Sequence, residues 1–149
     1  MILHQAAIGP ETGEATIHVS GADDSSSLLP ISQVQERLFP GTGEVRTETI
    51  KVGRLAEFVS ATEIVGPALL KLDVQGFELE ALRGCEDLLS RFSYVYVECS
   101  FVELYTGQSL AHEIITWFDE RGFKLNGVYN ISYDKTGKAI QGDFLFKKT

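Results

Sequence analysis

The sequence predicts an α/β domain, on three observations. Ala68–Leu72 is a short apolar run interrupted only by Lys71; it ends in Asp73, turns at Gly76 and passes into a helical pattern from Phe77. Tyr94–Cys99 is a second apolar strand that also ends in polar residues, Glu98 and Ser100. Leu110, Ile114, Trp117 and Phe118 recur at i, i+4, i+7 and i+8, the stripe of an amphipathic helix lying on a sheet. A strand, an acid at its tip, a glycine turn and a helix make half of a βαβ unit. Ligands of open α/β sheets gather at the C-terminal ends of the strands, which singles out Asp73 and Glu98.

The remaining elements follow from local pattern. Met1–Ala7 reads as a strand or the last part of one, and Pro10–Gly13 as a turn. Ala15–Val19 alternates apolar Ala15, Ile17 and Val19 with Thr16 and His18, a half-buried strand. Asp23–Ser27 is a polar loop, and Ile31–Phe39 is weakly helical up to Pro40. Gly41–Gly43 lacks the strand-then-helix frame of a phosphate loop and reads as a turn. Val45–Val52, rich in β-branched residues, is a strand; Arg54–Ala61 is a short helix; Gly66–Pro67 breaks the chain. In the helix after Gly76, Phe77, Ala81 and Leu82 share a face, and Gly84 stands where a left-handed stop is wanted. Glu86–Phe92 adds a further turn or two. Ser109 is the expected N-cap of the amphipathic helix, which stops at Gly122 with Arg121 in its last turn. Val128–Tyr133 and Ala139–Phe146 flank Asp134–Lys138 as a C-terminal antiparallel hairpin.

Composition narrows the partners. The chain has 149 residues, 44% of them hydrophobic, which fits one domain with a sizeable core. A formal net charge of −8, spread along the chain, lacks the basic footprint that nucleic acid requires. No apolar run approaches the ~20 residues of a membrane span, and no signal peptide is visible. Cys85 and Cys99 make no disulfide framework and read as free buried thiols, which points to a reducing, cytoplasmic setting.

The segment LKLDVQGFELEALRG, Leu70–Gly84, closely resembles the hallmark segment of the FkbM-type methyltransferases. The resemblance continues through Tyr94–Ser100 (YVYVECS), Leu104–Gln108 (LYTGQ), Leu110–Phe123 and Gln141–Phe146 (QGDFLF), and reaches back to Ala6–Gly13 and Ser25–Leu28, in order. It implies a Rossmann-like fold that binds S-adenosylmethionine and methylates a hydroxyl oxygen of a small molecule or glycan. Carried onto this chain, it implies Asp73 and Glu98 as catalytic carboxylates, Ala6 and Ala7 at the cofactor, and Gln75, Glu78, Tyr105 and Gln108 at the substrate. Asp73 and Glu78, five residues apart across the glycine turn, are expected to face one cleft. Without a histidine or an oxygen-ligand loop beside these acids, no metal site is expected.

One departure from the family pattern matters. Its glycine-rich cofactor turn, D-x-G-x-x-x-G, does not occur before Gly76, nor does the strand–acid unit that follows it. The resemblance therefore covers the C-terminal two-thirds of the family's domain and implies an N-terminally truncated sheet. The expected activity is that of an O-methyltransferase domain, incomplete or inactive as this chain; the alternative is a non-catalytic binding or assembly module on the same fold. A carboxylate–metal hydrolase is a third reading. In the resembling fold two strands lie between the strand near Met1 and the central strand at Leu69–Val74. Without them the central strand keeps an open apolar edge, through which a homodimer is expected to form.

Overall fold

The computed structural model describes residues 1–149 apart from the side chain of Asp23. The fold is α/β, with strands divided between two mixed sheets. The first sheet holds β1 (Ala7–Ile8), β2 (Gly13–Ser20) and β3 (Glu44–Gly53) in the order β1-β3-β2. β1 runs parallel to β3, and β2 runs antiparallel to it. The second sheet holds β4 (Leu69–Leu72), β5 (Tyr94–Ser100), β6 (Phe123–Tyr133) and β7 (Ala139–Lys148) in the order β4-β5-β7-β6. β4 and β5 are parallel, joined over α2 (Glu78–Leu89); β5, β7 and β6 are antiparallel in turn. The C-terminal hairpin stands as expected. β4 pairs with β5 alone, so its other edge has no strand neighbour among the described residues.

The second sheet carries the main core. Val95, Val97 and Cys99 alternate along β5 and are buried, in register with Phe146, Phe144 and Gly142 of β7. Ala81, Leu82 and Leu89 of α2 join Ile114, Trp117 and Phe118 of α3 (Ala111–Asp119) over this surface. Phe118 stacks on Phe146 with ring centroids 4.0 Å apart. The stripe read from the sequence is therefore the buried face of α3. A second cluster closes the other end. Leu104, Tyr105 and Ile140 are packed by Val34 and Leu38 of the short α1 (Gln33–Leu38) and by Phe39. Ser32 caps α1, its Oγ accepting from the amides of Val34 and Gln35. Both cysteines are buried and free.

Several local expectations are corrected. Gly84 does not stop a helix: α2 runs through it to Leu89 and absorbs most of Glu86–Phe92. A Cβ on Gly84 would lie 2.4 Å from the carbonyl oxygen of Gly9, so the glycine serves close approach to the first sheet. Arg54–Ala61 holds only a 3-10 turn at Leu55–Glu57, closed when the Glu57 carboxylate accepts from the Arg54 amide at 2.9 Å. In Met1–Ile8 only Ala7 and Ile8 are strand, because β3 offers them partners only at Val52 and Gly53. The N-cap of α3 is Leu110 rather than Ser109; its amide is held by Glu113 Oε2 at 2.8 Å. The α3 segment ends at Asp119, short of the expected Gly122, which with φ +75° turns the chain into β6.

Gly84 is thus a joint between the sheets. Arg54 supports it, donating from Nε to Asp87 of α2 (2.8 Å) and from a terminal nitrogen to the Pro10 carbonyl (3.0 Å). Alanine at position 84 gains about 1 kcal/mol of helix propensity but forces a methyl group onto backbone atoms that cannot rotate away. Gly84→Ala is accordingly expected to lower stability by about 1–3 kcal/mol, read as an earlier urea midpoint. A later midpoint would show that the joint is loose.

Candidate functional site

The chain makes a sharp turn directly after β4. Gln75 adopts φ +51° and Gly76 φ +95°, successive left-handed residues that aim β4 into α2. Position 76 also lacks room, since a Cβ there would meet the Tyr105 side chain at 2.8 Å. Glu78 holds the turn from below, its Oε1 accepting from the Gly76 amide at 3.0 Å. Glu78 is only 3% exposed and lines neither cavity described below. The expectation that Asp73 and Glu78 share a cleft is therefore corrected: the carboxylate of Glu78 folds back into the turn it begins. Burial is the largest influence on it and outweighs the favourable amide contacts, pushing its pKa up to about 7.

Above the turn, Gln75 gathers the other candidates. Its Nε2 donates to Asp73 Oδ1 (2.8 Å) and Glu98 Oε2 (3.2 Å). Its Oε1 accepts from the Tyr105 hydroxyl at 2.7 Å, and its backbone carbonyl from Ser27 Oγ at 2.6 Å. Tyr105 is buried, and its phenol is held protonated first by burial and then by the nearby Glu98 and Glu78. Gln108 positions Tyr105 from beneath. Its Oε1 accepts from the amides of Leu104 (2.9 Å) and Tyr105 (3.3 Å), and its Nε2 donates to Ser100 Oγ (2.9 Å). Gln108 thus acts on the loop that carries the tyrosine.

Asp73 and Glu98 stand at the ends of neighbouring parallel strands. Glu98 is braced on both oxygens, the second accepting from Gln141 Nε2 of β7 at 3.1 Å. Burial first, then Asp73 and Asp143, push its pKa up to about 7. Lys71 reaches Asp73 at 3.3 Å, but both side chains are about half exposed. A solvent-exposed pair of this kind contributes little, roughly 0–1 kcal/mol, and the Gln75 amide is the stronger organiser.

Two cavities meet at Asp73. One, of about 550 Å³, has largely apolar walls that include Ala6, Ala7, Leu72 and Phe77 as well as Asp73. The other, of about 350 Å³, is polar and is bounded by Asp73, Gln75, Glu98, Gln35 and Gln141. The structure so brings Ala6 and Ala7 to one side of Asp73 and Gln75 and Glu98 to the other, with Tyr105 behind. Gln35 and Gln141 were not expected at the site. Gln141 opens the QGDFLF segment, a usable signal; Gln35 sits in a short helix with none. Among the described residues, no group of three or more acidic, histidine or cysteine side chains is placed to hold a metal ion. Nor is any helix there long and apolar enough to cross a membrane.

Similarity to known proteins establishes the family: the chain belongs to the FkbM methyltransferase family, whose domain model matches residues 1–125. It is 29% identical to the 2-O-methyltransferase NoeI of Sinorhizobium fredii over 160 aligned residues, spanning 100% of this chain and 60% of NoeI. It is 41% identical to the hexuronic acid methyltransferase AglP of Haloferax volcanii over 61 residues, 39% of this chain and 26% of AglP. The chain therefore spans well under two thirds of either relative. No solved structure matches it significantly.

Glu78 yields a stability prediction. Its folded pKa, about 7, lies above the ordinary value of 4.5, so the folded state binds this proton more tightly than the unfolded state does. The resulting stabilisation is complete below pH 4.5 and is lost as pH rises through about 7. Glu78→Gln keeps an acceptor for the Gly76 amide and removes the titration. The stability of the native chain relative to this variant should fall across that window by on the order of a few kcal/mol, measured by urea unfolding at stepped pH. A pH-independent difference would contradict the assignment.

Proposed function

We propose that this chain carries the acceptor side of a Rossmann-like, S-adenosylmethionine-dependent O-methyltransferase acting on a hydroxyl of a glycan or small molecule. The carrying observation is Asp73 at the junction of an apolar and a polar cavity, bridged to Glu98 through Gln75. The names of the relatives, a 2-O-methyltransferase and a hexuronic acid methyltransferase, support an oxygen acceptor and a sugar-derived substrate.

In this reading the acceptor lies in the polar cavity with its reacting hydroxyl at Asp73. Asp73 orients the oxygen and takes its proton as the new bond to carbon forms. Glu98 receives a second hydroxyl and, with its pKa near neutrality, sets the charge of the pair. Gln75 fixes the two acids relative to each other. Glu78, Tyr105 and Gln108 act through Gln75 and the loop as positioning residues. Bound S-adenosylmethionine would supply an electrophilic methyl group on a good leaving group. The apolar cavity, with Ala6 and Ala7 on its wall, has the volume for an adenosyl group, but Asp73 is the only acid among its described lining residues. With one carboxylate there, the described wall supplies part of what the cofactor needs. A second reading, a non-catalytic binding module on the same fold, uses the same polar cavity. The free edge of β4 supports pairing with a second copy of the chain.

Two measurements test this. Calorimetric titration of the chain with S-adenosylhomocysteine is expected to give weak binding or none; low-micromolar affinity would mean that the cavity is a complete cofactor site. In a radiolabelled methyl-transfer assay at the highest attainable cofactor concentration, Asp73→Asn is expected to lose about 100-fold or more. Glu98→Gln should lose less and remove an ascending limb near pH 7 from the rate profile. Equal, mild losses for both would leave Asp73 a structural residue.

A further inference from the structure

β3 leaves most of one edge open. β1 pairs with it only at Val52 and Gly53, so from Glu44 to Lys51 its outer side has no strand neighbour among the described residues. Every residue from Glu44 to Thr49 is exposed, Val45 at 60%. Gly53 turns its carbonyl outward, where it accepts from the Gly9 amide at 3.0 Å. The backbone groups of a strand alternate in direction, and pairing with β2 is regular from Arg46 to Val52. Thr47, Thr49 and Lys51 therefore present their N–H and C=O groups outward, as a further strand requires.

The charges along that edge select the strand. Arg46 and Glu48 share a face, and Arg46 Nε donates to Glu48 Oε1 at 2.7 Å. Both side chains are more than half exposed, so within one chain the pair contributes little. Charged residues on an edge usually block indiscriminate pairing, and like charges directly opposite destabilise a sheet. Here the signs admit one arrangement with a second copy. A parallel pair in register sets Arg46 on Arg46 and Glu48 on Glu48. An antiparallel pair centred on Arg46 opposes Arg46 to itself and Glu44 to Glu48, and one centred on Glu48 opposes Glu48 to itself. Centred on Thr49, the pair brings Arg46 to Val52, which β1 already occupies. Centred on Thr47, it sets Arg46 against Glu48 twice, Thr47 against Thr47, and Val45 against Thr49. Opposite charges and β-branched neighbours both stabilise a sheet in that register.

We infer that the chain forms a two-fold dimer in which β3 pairs antiparallel with β3 of a second copy about Thr47, joining the two first sheets through a β2-β3-β3-β2 centre. This surface is distinct from the β4 edge and does not depend on the acceptor-side reading. It lies one strand from the candidate site. The adjacent β2 bridges to Ser27 at His18 and places Ile17 on the apolar cavity, so the dimer would brace the strand that carries both.

Sedimentation equilibrium of the full chain over a range of concentrations is expected to show a reversible monomer–dimer equilibrium, since an edge contact of this length is small. Arg46→Glu and Glu48→Arg should each weaken dimerisation by about tenfold or more, and the double exchange should restore it. Thr47→Pro should abolish the dimer, because it removes an outward N–H and leaves the bonds to β2 in place. Crosslinking reads the register directly, and both native cysteines are buried. Thr47→Cys is expected to join to itself on mild oxidation, whereas Thr49→Cys lies about 13 Å along the strand from its counterpart and should not. A chain that stays monomeric at every concentration overturns the inference. So does a dimer that both single exchanges leave intact, which places the contact at β4 or elsewhere, and so does a double exchange as weak as the single ones. Crosslinking at position 49 but not at 47 overturns the register and with it the inference.

Discussion

The site depends on a two-residue left-handed turn. Gln75 at φ +51° costs conformational energy that a glycine would not, and the molecule recovers it through the side chain that glycine lacks. From that backbone position one amide group reaches Asp73, Glu98 and Tyr105 together, while the carbonyl of the same residue takes Ser27. Placed in an ordinary extended conformation, Gln75 would leave Asp73 and Glu98 on their own strands with nothing between them. The turn is secured from three directions: Glu78 on the Gly76 amide, Tyr105 packed where a side chain at Gly76 would stand, and Ser27 reaching across from the first sheet. Each of these costs burial of a polar group, and each group is hydrogen-bonded, which is the condition for such burial to be tolerated.

The same turn bears on how the two sheets are held. No strand pair joins them. They are joined by α2 lying against the first sheet at Gly84 and Gly9, by the Arg54 bridge to Asp87 and Pro10, by the Ser27 and Tyr105 bonds near Gln75, and by the apolar cluster that packs α1 and its flanks on Leu104, Tyr105 and Ile140. The apolar cavity lies between them, bordered by Ala6, Ala7 and Ile8 of the first sheet and Leu70 and Leu72 of the second. Its two sides are therefore held by side-chain packing and hydrogen bonds rather than by a continuous sheet.

Elements whose pattern is local were legible in the sequence. The β4 turn, β5, the buried stripe of α3 and the C-terminal hairpin all follow from periodicity and turn chemistry, and Asp73 and Glu98 from their place at strand ends. What could not be read locally was which partner a residue would meet. Gly84 looks like a helix stop because glycine commonly is one; its reason lies 75 residues earlier, at Gly9. Glu78 looks like a cleft acid by its spacing from Asp73, but its side chain is spent on an amide two residues back. Tyr105 reaches Gln75 through its hydroxyl, whereas Gln108 works on the loop backbone. Gln35 was invisible because nothing in a six-residue helix tells that its face will close a cavity.

The two cavities differ in the character of their walls. An apolar wall weakens the solvation of whatever sits beside it, while a wall of carboxylates and amides orders hydroxyls. Asp73 is the residue common to both. A carboxylate wholly within the apolar space would be driven to protonate, as Glu78 is by its burial. One wholly within the polar space would have no reach to the other side. At the boundary, with its side chain about half exposed and one oxygen fixed by Gln75, Asp73 can bind a hydroxyl from the polar side and hold it toward the apolar one. Glu98, more enclosed and braced by two glutamine amides, is suited to hold rather than to transfer. The difference between the two acids thus follows from their environments, although both stand at equivalent places on adjacent strands.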